Sequence, residues 1–167
     1  LVTKVRVMYE GLPQWLKTNP EEINKLSIRF KNGSQIKAIA SNESAGRSEA
    51  LSLLIIDEAA FIDRIDTIWT AAQQTLSTGG GCIALSTPNG VGNWFHKQWL
   101  GAEDGTNNFN TIRLHWTDHP DRDQTWRDEQ DKVLGPSQAA QECDTDFLTS
   151  GQSVVDPAIL QWYKDEL

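Results

Sequence analysis

The sequence lacks any apolar run long enough to cross a membrane. Its longest unbroken apolar stretch lies around Leu53–Ile56. A helix that spans a bilayer needs about 20 apolar residues. The first residues, Leu1–Lys4, also lack the order of charged, apolar and small residues that marks a secretory signal. We therefore expect an intracellular protein that makes no contact with a membrane.

Cysteine and basic residues are also scarce. The two cysteines, Cys82 and Cys143, form no CxxC motif and no disulfide framework, which agrees with a reducing compartment. The chain has 15 lysines and arginines against 23 aspartates and glutamates, a net charge of −8. This balance excludes a DNA-binding module that relies on overall positive charge. Any contact with DNA must be local, transient or supplied by neighbouring subunits.

The composition that remains is that of one globular domain. The chain has 167 residues, of which 38% are hydrophobic and 23% are charged. This is enough to bury a core, and it excludes a disordered or low-complexity chain. No internal repeat is present.

The first forty residues predict a helix and a β-hairpin. Apolar positions in Val2–Glu10 fit a short helix, which Gly11 should end. Apolar and polar residues alternate in Leu26–Lys31, and the alternation returns in Ser34–Ala40. Between these segments, Asn32–Gly33 has the composition of a type I′ turn. We expect a hairpin with one buried face.

The middle of the chain predicts two strands with a helix between them. Leu51–Ile56 is almost continuously apolar, as is typical of a strand that is buried on both faces of a parallel sheet. Ala59–Leu76 has apolar residues at helical spacing and ends at a tract of three glycines. Cys82–Leu85 is a second short apolar run. This order predicts a βαβ unit with parallel strands.

The rest of the chain predicts mainly helices. We expect an aromatic-rich helix at Asn93–Leu100 and a strand at Thr111–His115. Two surface helices are expected at Asp121–Leu134 and Ser137–Phe147. His115 and His119 have the spacing of a helical metal pair, but the strand prediction and the absence of a third ligand argue against zinc. The seven tryptophans are expected mainly in the core and at interfaces.

Two acids directly follow the first strand of the βαβ unit. Leu53–Ile56 and the pair Asp57–Glu58 match the Walker B pattern, and an open α/β sheet places such carboxylates in the cleft at its carboxyl end. The first carboxylate can hold Mg²⁺ through its water shell, and the second can polarise the water that attacks the γ-phosphate. In an alternative interpretation, the acids only cap the helix that starts near Ala59.

Polar residues follow the second strand. Ser86–Gly90 reads Ser-Thr-Pro-Asn-Gly, and its hydroxyl and amide groups could bind the γ-phosphate or the attacking water and report the nucleotide state. The same residues are ordinary turn formers, so a purely structural role is the alternative. The order of the two motifs resembles P-loop ATPases with an additional strand and a catalytic glutamate, in which a sensor follows Walker B.

Together these segments resemble the large subunit of tailed-phage and prophage terminases, the DNA-packaging motor. The resemblance rests mainly on Leu53–Phe61 and Ile83–Gly90, in that order, and on Asn93–Phe95 after them. It extends over roughly residues 26–157, which is most of the chain.

The resemblance implies roles for individual residues. Asp57 corresponds to the Mg²⁺ ligand and Glu58 to the catalytic carboxylate. Ser86, Thr87 and Asn89 match the motif that couples hydrolysis to DNA movement.

A basic residue upstream of the Walker B strand also fits the resemblance. Arg47 lies in the small polar loop Ser41–Ser48, where such proteins often have a basic residue. It could contact phosphate in cis or from a neighbouring subunit. In the alternative interpretation it is a solvated loop arginine.

The resemblance also implies segments that the sequence does not contain. No GxxxxGK[ST] motif occurs, so Walker A is expected upstream of Leu1, and the nuclease domain of the family is expected after Leu167. We interpret residues 1–150 as the C-terminal portion of a terminase ATPase domain that lacks Walker A. Residues 151–167 would begin a linker toward the nuclease domain. Alone, the chain is expected to hydrolyse no ATP.

The expected fold is α/β. It is a partial RecA-like P-loop NTPase core from the Walker B strand onward, with a β-hairpin and a helical C-terminal piece. In the intact protein the resemblance implies ATP and Mg²⁺ as cofactors, and packaging of double-stranded viral DNA into procapsids in the cytoplasm of a bacterial host. The implied partners are transiently bound double-stranded DNA, the small terminase subunit and the portal protein, and self-association is also expected.

Two other functions remain compatible with the sequence. One is a fragment of a helicase-like ATPase that is stimulated by nucleic acid, since such enzymes share an Asp-Glu pair and a polar sensor. The other is a non-catalytic remnant that acts only in assembly.

Overall fold

The computed structural model describes residues 2–41, 50–76 and 79–148, together with Ile159 and Trp162. The chain divides into two compact units, Leu1–Ala45 and Gly46–Leu167. Helices and strands occur in both units, so the protein is a mixed α/β protein. Of the predicted linker at residues 151–167, only Ile159 and Trp162 are among the described residues. Arg47, predicted to contact phosphate, lies outside the described residues.

The first unit contains a helix and a three-stranded antiparallel sheet. Its sheet order is β1-β2-β3, and both neighbouring pairs are antiparallel. The elements are α1 (Val2–Gly11), a 3₁₀ turn (Gln14–Leu16), β1 (Pro20–Ile23), β2 (Ser27–Phe30) and β3 (Gln35–Lys37). The predicted helix and hairpin are confirmed. Strand β1 was not predicted, because its sequence Pro-Glu-Glu-Ile is poor in strand-forming residues.

The core of the first unit lies between α1 and the sheet. Ile28 is fully buried, and Val2 and Phe30 pack with it. The rings of Tyr9 and Phe30 have centroids 5.7 Å apart. The alternation of β2 therefore places Ile28 and Phe30 on the buried face, as the sequence pattern predicts.

The hairpin turn differs from the predicted type I′ turn. Phe30 N donates to Ser34 O over 2.9 Å, and Gly33 N donates to Phe30 O over 3.0 Å, so three residues form the loop. Gly33 has φ 85°, whereas Asn32 is not among the described non-glycine residues with positive φ. A type I′ turn requires positive φ at both central residues. The loop is instead a three-residue turn with a left-handed glycine at its end.

The second unit is built around a parallel βαβ unit. Its elements are β4 (Leu53–Ile56), α2 (Ile65–Leu76), β5 (Gly81–Ala84), α3 (Trp94–Glu103), α4 (Gln124–Leu134) and α5 (Pro136–Ala139), which continues as a π-helical turn (Ala140–Asp144); 3₁₀ turns lie at Ala59–Phe61 and Trp116–Asp118. Strands β4 and β5 are parallel, with Leu53 opposite Gly81 and Ile56 opposite Ala84. The predicted βαβ unit is confirmed.

Only one face of the β4-β5 sheet is covered. Ile56 is buried with Ala59 and Trp94 in the core of the second unit. On the other face Leu53 and Ile55 remain 52% and 55% exposed. The prediction that Leu51–Ile56 is buried on both faces is therefore wrong, because within the described part of the chain no element covers the second face.

The connection from β4 to α2 is longer than predicted. Helix α2 begins at Ile65 and not at Ala59. The chain first forms the 3₁₀ turn, and Ile62 after it is extended, with φ −82° and ψ 118°. The left-handed conformation of Glu58 and this extended residue interrupt the helical pattern that the sequence suggests across residues 59–64.

The strand predicted at Thr111–His115 does not form. The segment pairs with no strand in the described part of the chain, and Ile112 and Leu114 are 78% and 75% exposed. Arg113 anchors the segment instead: its Nη2 donates to the carbonyl oxygen of Asp144 over 2.8 Å, and its Nε donates to Thr145 Oγ1. Alternation alone predicted the strand, but a strand also requires a neighbouring edge.

A buried arginine joins α4 to the π-helical turn. Arg127 donates from Nε and Nη2 to the two carboxylate oxygens of Asp144, over 2.8 and 2.7 Å, and from Nη1 to Asp131 Oδ1 over 2.6 Å. Such paired, charge-assisted hydrogen bonds fix the relative orientation of the two side chains and also stabilise the fold. The hydrogen bonds from Arg127 hold the pKa of Asp144 below its usual value.

This ion pair predicts a loss of stability in acid. Because the pKa of folded Asp144 is lowered, the ion pair stabilises the fold above the ordinary aspartate pKa of about 4, and this contribution is lost as the pH falls through the lower folded pKa. We expect Asp144→Asn to lower the free energy of unfolding by about 1–3 kcal/mol at pH 7 and by less at pH 3. Urea unfolding at both pH values measures this. Asp121→Asn, at an exposed position, is the control, and an equal loss at both pH values would contradict the prediction.

Candidate functional site

The two predicted motifs meet at the carboxyl edge of the β4-β5 sheet. Leu85 N donates to Ile56 O over 3.0 Å, and Ala59 N donates to Leu85 O over 3.0 Å. The two chains therefore stay paired beyond the ends of their strands. Asp57 and Glu58 on one chain and the loop Ser86–Gly90 on the other lie at the same edge, as the parallel arrangement predicts.

Glu58 has an unusual backbone conformation. Its φ and ψ are 54° and 43°, in the left-handed region that non-glycine residues rarely adopt. This conformation costs about 1–2 kcal/mol for a residue with a side chain. It bends the chain sharply after β4, so that both carboxylates lie on exposed residues. Strain of this kind is often found at functional sites.

The acids lie before a 3₁₀ turn and not directly before a long helix. Helix α2 begins at Ile65, well beyond the pair. Glu58 occupies the N-cap position of the 3₁₀ turn Ala59–Phe61, but its side chain accepts no capping hydrogen bond. A helical turn therefore starts where the alternative interpretation expects one, and the interpretation of the pair as a cap stays a prediction.

Ser86 and Asn89 hold the backbone that follows the acids. Ala60 N donates to Ser86 Oγ over 3.1 Å, and Asn89 Nδ2 donates to Ala60 O over 3.2 Å. Both backbone groups of Ala60 are thus bound by the loop, and Ala60 is itself buried. A displacement of the loop would displace the turn that carries Glu58, and the reverse also holds.

Asn93 is a further residue of this network; the resemblance includes it, but no role was predicted for it. Its Nδ2 donates to Asn89 O over 2.8 Å and to Gly90 O over 3.2 Å, while its Oδ1 accepts a hydrogen bond from His96 N over 2.9 Å. It therefore caps α3 and fixes the end of the Ser86–Gly90 loop. An asparagine directly before an aromatic-rich helix is a typical N-cap signal, and this signal could have identified it.

A cavity of about 570 Å³ lies beside β5. One wall is residues 82–88, which include Thr87, and another is residues 109–114. The aromatic side chains of Phe95, Trp99 and Phe147 also line it. Gly81 N and Leu85 N both donate toward β4, so the alternate residues Cys82 and Ala84 direct their backbone groups to the cavity side.

The two cysteines are free thiols. Burial raises the pKa of the Cys82 thiol to about 11, and burial also raises the pKa of Cys143. Both thiols are therefore protonated at neutral pH, and neither is a good nucleophile or metal ligand in this state.

The histidines serve structural roles. Thr117 N donates to His115 Nδ1 over 3.4 Å within a capping box. Asp121 N donates to His119 Nδ1 over 3.2 Å. In the described part of the chain no group of three or more His, Cys, Asp or Glu residues could hold a metal ion.

The tryptophans occupy both predicted and unexpected positions. Trp94 is buried, and its ring lies 5.5 Å from that of Trp69. Trp15 and Trp162, in contrast, are exposed.

No helix among the described residues is long and apolar enough to cross a membrane.

The fold and the site thus define an α/β protein with an acidic pair and a polar loop at the carboxyl edge of parallel strands. The sequence matches the family profile described as terminase large subunit, T4-like virus type, N-terminal, over residues 9–156. The chain belongs to this family. The profile describes the N-terminal region of the subunit, so the expectation of a C-terminal portion is corrected.

A curated relative supports the same family. The chain is 34% identical over 101 residues to the probable terminase large subunit of Escherichia phage Mu. The aligned part covers 60% of this chain and 18% of that relative. The chain thus spans less than a fifth of the length of the relative.

Proposed function

We propose that this chain contributes the catalytic acids of an ATPase that powers packaging of double-stranded viral DNA into procapsids. The observation that carries the proposal is the pairing of Asp57 and Glu58 with the Ser86–Gly90 loop at one sheet edge. Family membership supports the link to DNA packaging.

The carboxylates of Asp57 and Glu58 are groups that can bind Mg²⁺ and orient a water at a nucleotide. Mg²⁺ is usually held by one or two carboxylates, several waters and the phosphates of the nucleotide. Asp57 is exposed at the end of β4 and would be the carboxylate ligand. When bound, Mg²⁺ would neutralise charge on the phosphate oxygens. Glu58, held on the adjacent left-handed turn, would accept a hydrogen bond from the attacking water and orient it.

The loop would couple the chemistry to movement. Ser86 and Asn89 bind the N–H and the carbonyl of Ala60, which lies two residues after Glu58. A shift of the catalytic turn on hydrolysis would therefore pull on the loop, and Asn93 would pass this shift to α3. Thr87, at the wall of the cavity, would contact the γ-phosphate or the water.

The two-stranded sheet would be part of a larger RecA-like core. The cavity beside β5 has backbone groups of Cys82 and Ala84 on one wall. A further parallel strand of the full-length protein would pair with this edge and bring a phosphate-binding loop to Asp57. Arg47 would contact phosphate in cis or in trans. The other proposed partners are the small terminase subunit and the portal protein, in the cytoplasm of a bacterial host.

Binding of Mg-ATP to the full-length polypeptide that contains this sequence tests the proposal. We expect Asp57→Asn to weaken Mg²⁺-dependent ATP binding at least tenfold and to lower turnover, because a neutral amide is a poor Mg²⁺ ligand. Asp63→Asn changes an exposed acid on the same connection and should leave both unchanged. The isolated 167-residue chain should not turn over. Unaltered binding and hydrolysis in Asp57→Asn would refute the proposal.

A further inference from the structure

The β-hairpin is a locally basic segment of an acidic chain. The segment from Lys25 to Ser41 has four cationic side chains and no acidic one. Since the whole chain carries −8, the residues outside this segment sum to −12. The overall acidity therefore conceals one locally basic segment. Its cations are Lys25, Arg29, Lys31 and Lys37.

The alternation of the strands places these cations away from the core. Ile28 and Phe30 are buried, so Arg29 between them lies on the opposite, exposed face of β2. In the adjacent strand Lys37 is paired with Ser27, which shares that face with Arg29. Arg29 and Lys37 are thus diagonal neighbours on one surface of the sheet.

Lys25 and Lys31 flank β2 at its two ends. Lys25 lies in the bend before the strand and Lys31 in the turn after it, and both are exposed. The strand between them, Ser27–Phe30, is about 10 Å long at about 3.3 Å per residue. We call the surface of Lys25, Arg29, Lys31 and Lys37 the cationic hairpin face.

Three of these cations form no ion pair, although one acid lies beside them. Within the described part of the chain, Lys25, Arg29 and Lys31 form no ion pair. The acid opposite Arg29 is Glu22 on β1, and its Oε1 accepts a hydrogen bond from Asn24 Nδ2 over 3.4 Å. Gln35, which is paired with Arg29, adds an amide donor to the same face.

We propose that the cationic hairpin face binds the phosphate backbone of double-stranded DNA. This deepens the proposed packaging function and rests on it for the choice of duplex DNA as the polyanion. Four cations on and beside one strand can contact several phosphates of a duplex, since each DNA strand carries one charge per about 3.4 Å. Lysine, arginine and amide side chains contact phosphates without reading sequence, as a motor that moves along any sequence requires.

The location also reconciles DNA binding with an acidic chain. A net charge of −8 excludes attraction by the molecule as a whole, but a local cationic face can still release counterions where it meets the backbone. The acidic remainder would repel DNA elsewhere and so restrict contact to this face. Contact would be weak and salt-sensitive, which suits a transient grip.

Two variants of the 167-residue chain with equal net charge test the proposal. The hairpin variant carries Lys25→Gln, Arg29→Gln and Lys31→Gln, and the control carries Lys4→Gln, Lys97→Gln and Lys132→Gln at exposed positions outside the face. Fluorescence anisotropy with a labelled duplex of random sequence, without nucleotide or Mg²⁺, gives the affinity from 25 to 200 mM KCl. Circular dichroism and thermal unfolding check that both variants fold.

The expected result is specific to the hairpin variant. The magnitude of its slope of log affinity against log salt concentration should fall by about 2–3, because each of the three lost phosphate contacts contributes about 0.9. Its affinity for the duplex at 50 mM KCl should fall at least tenfold. The control should keep the slope and stay within about twofold of the unaltered chain. Equal losses in both variants, or no measurable binding by the unaltered chain at 25 mM KCl, would overturn the proposal.

The test separates this proposal from the proposed ATPase. ATP turnover of the full-length protein without DNA depends on Asp57 and Glu58 and not on the hairpin. A hairpin variant that loses DNA while full-length turnover proves absent would support the face and contradict the ATPase. A hairpin variant that keeps DNA while turnover follows Asp57 would contradict the face alone.

Discussion

Replacing Glu58 with glutamine should lower the ATP turnover of the full-length protein by about 10²–10⁴-fold, the usual contribution of a general base. Glutamine has the shape of glutamate but cannot accept the proton of the attacking water. Affinity for Mg-ATP should stay within about twofold, because Asp57 and not Glu58 is the proposed metal ligand. Single-turnover hydrolysis and nucleotide titration measure the two effects separately.

The control for Glu58→Gln is Glu129→Gln, an exposed glutamate on α4, which should leave turnover unchanged. A second variant, Glu58→Gly, addresses the backbone. It also removes the carboxylate, but it relieves the left-handed strain at φ 54° and should not destabilise the fold. Turnover of Glu58→Gln at the unaltered rate would show that Glu58 is not the base. Equal losses of binding and turnover would assign it to nucleotide binding instead.

The sequence was sufficient to predict where the acids and the polar loop lie. Leu53–Ile56 could be recognised as a strand because four apolar residues end abruptly at two acids, and the glycine tract after α2 separated the helix from β5. Parallel strands then bring their carboxyl ends to one edge without further information. The hydrogen bonds from Ser86 and Asn89 to Ala60 were not predictable, since they depend on the exact course of the turn after Glu58.

The wrong predictions from the sequence share one physical cause. The pattern of a segment does not show which other element pairs with it or covers it. The alternation in Thr111–His115 is as regular as that of β2, yet only β2 has paired edges on both sides. Leu51–Ile56 was expected to be covered on two faces, but a pattern of apolar residues does not specify what covers them. The cationic face was hidden for a related reason, because net charge averages over residues that the fold separates.

Replacing Gly80 with alanine should destabilise the second unit by about 3 kcal/mol or more, among the large effects of overpacking. Gly80 links α2 to β5, and its N–H donates to Leu76 O over 2.9 Å. A Cβ at this position would lie 2.1 Å from Leu51 O and 2.8 Å from Leu76 Cδ2. The leucine side chain could move, but the carbonyl belongs to the backbone that leads into β4.

Gly81→Ala provides a matched control on the neighbouring residue. A Cβ there would meet only Leu53 Cδ1, at 3.9 Å, which is an ordinary contact. Urea unfolding followed by tryptophan fluorescence reports mainly on the second unit, which contains six of the seven tryptophans. We expect the unfolding midpoint to fall sharply for Gly80→Ala and to stay the same or rise for Gly81→Ala. Equal midpoints would mean that β4 and β5 are not held against α2 in this way, and the shared edge that carries Asp57 and Ser86 would lose its support.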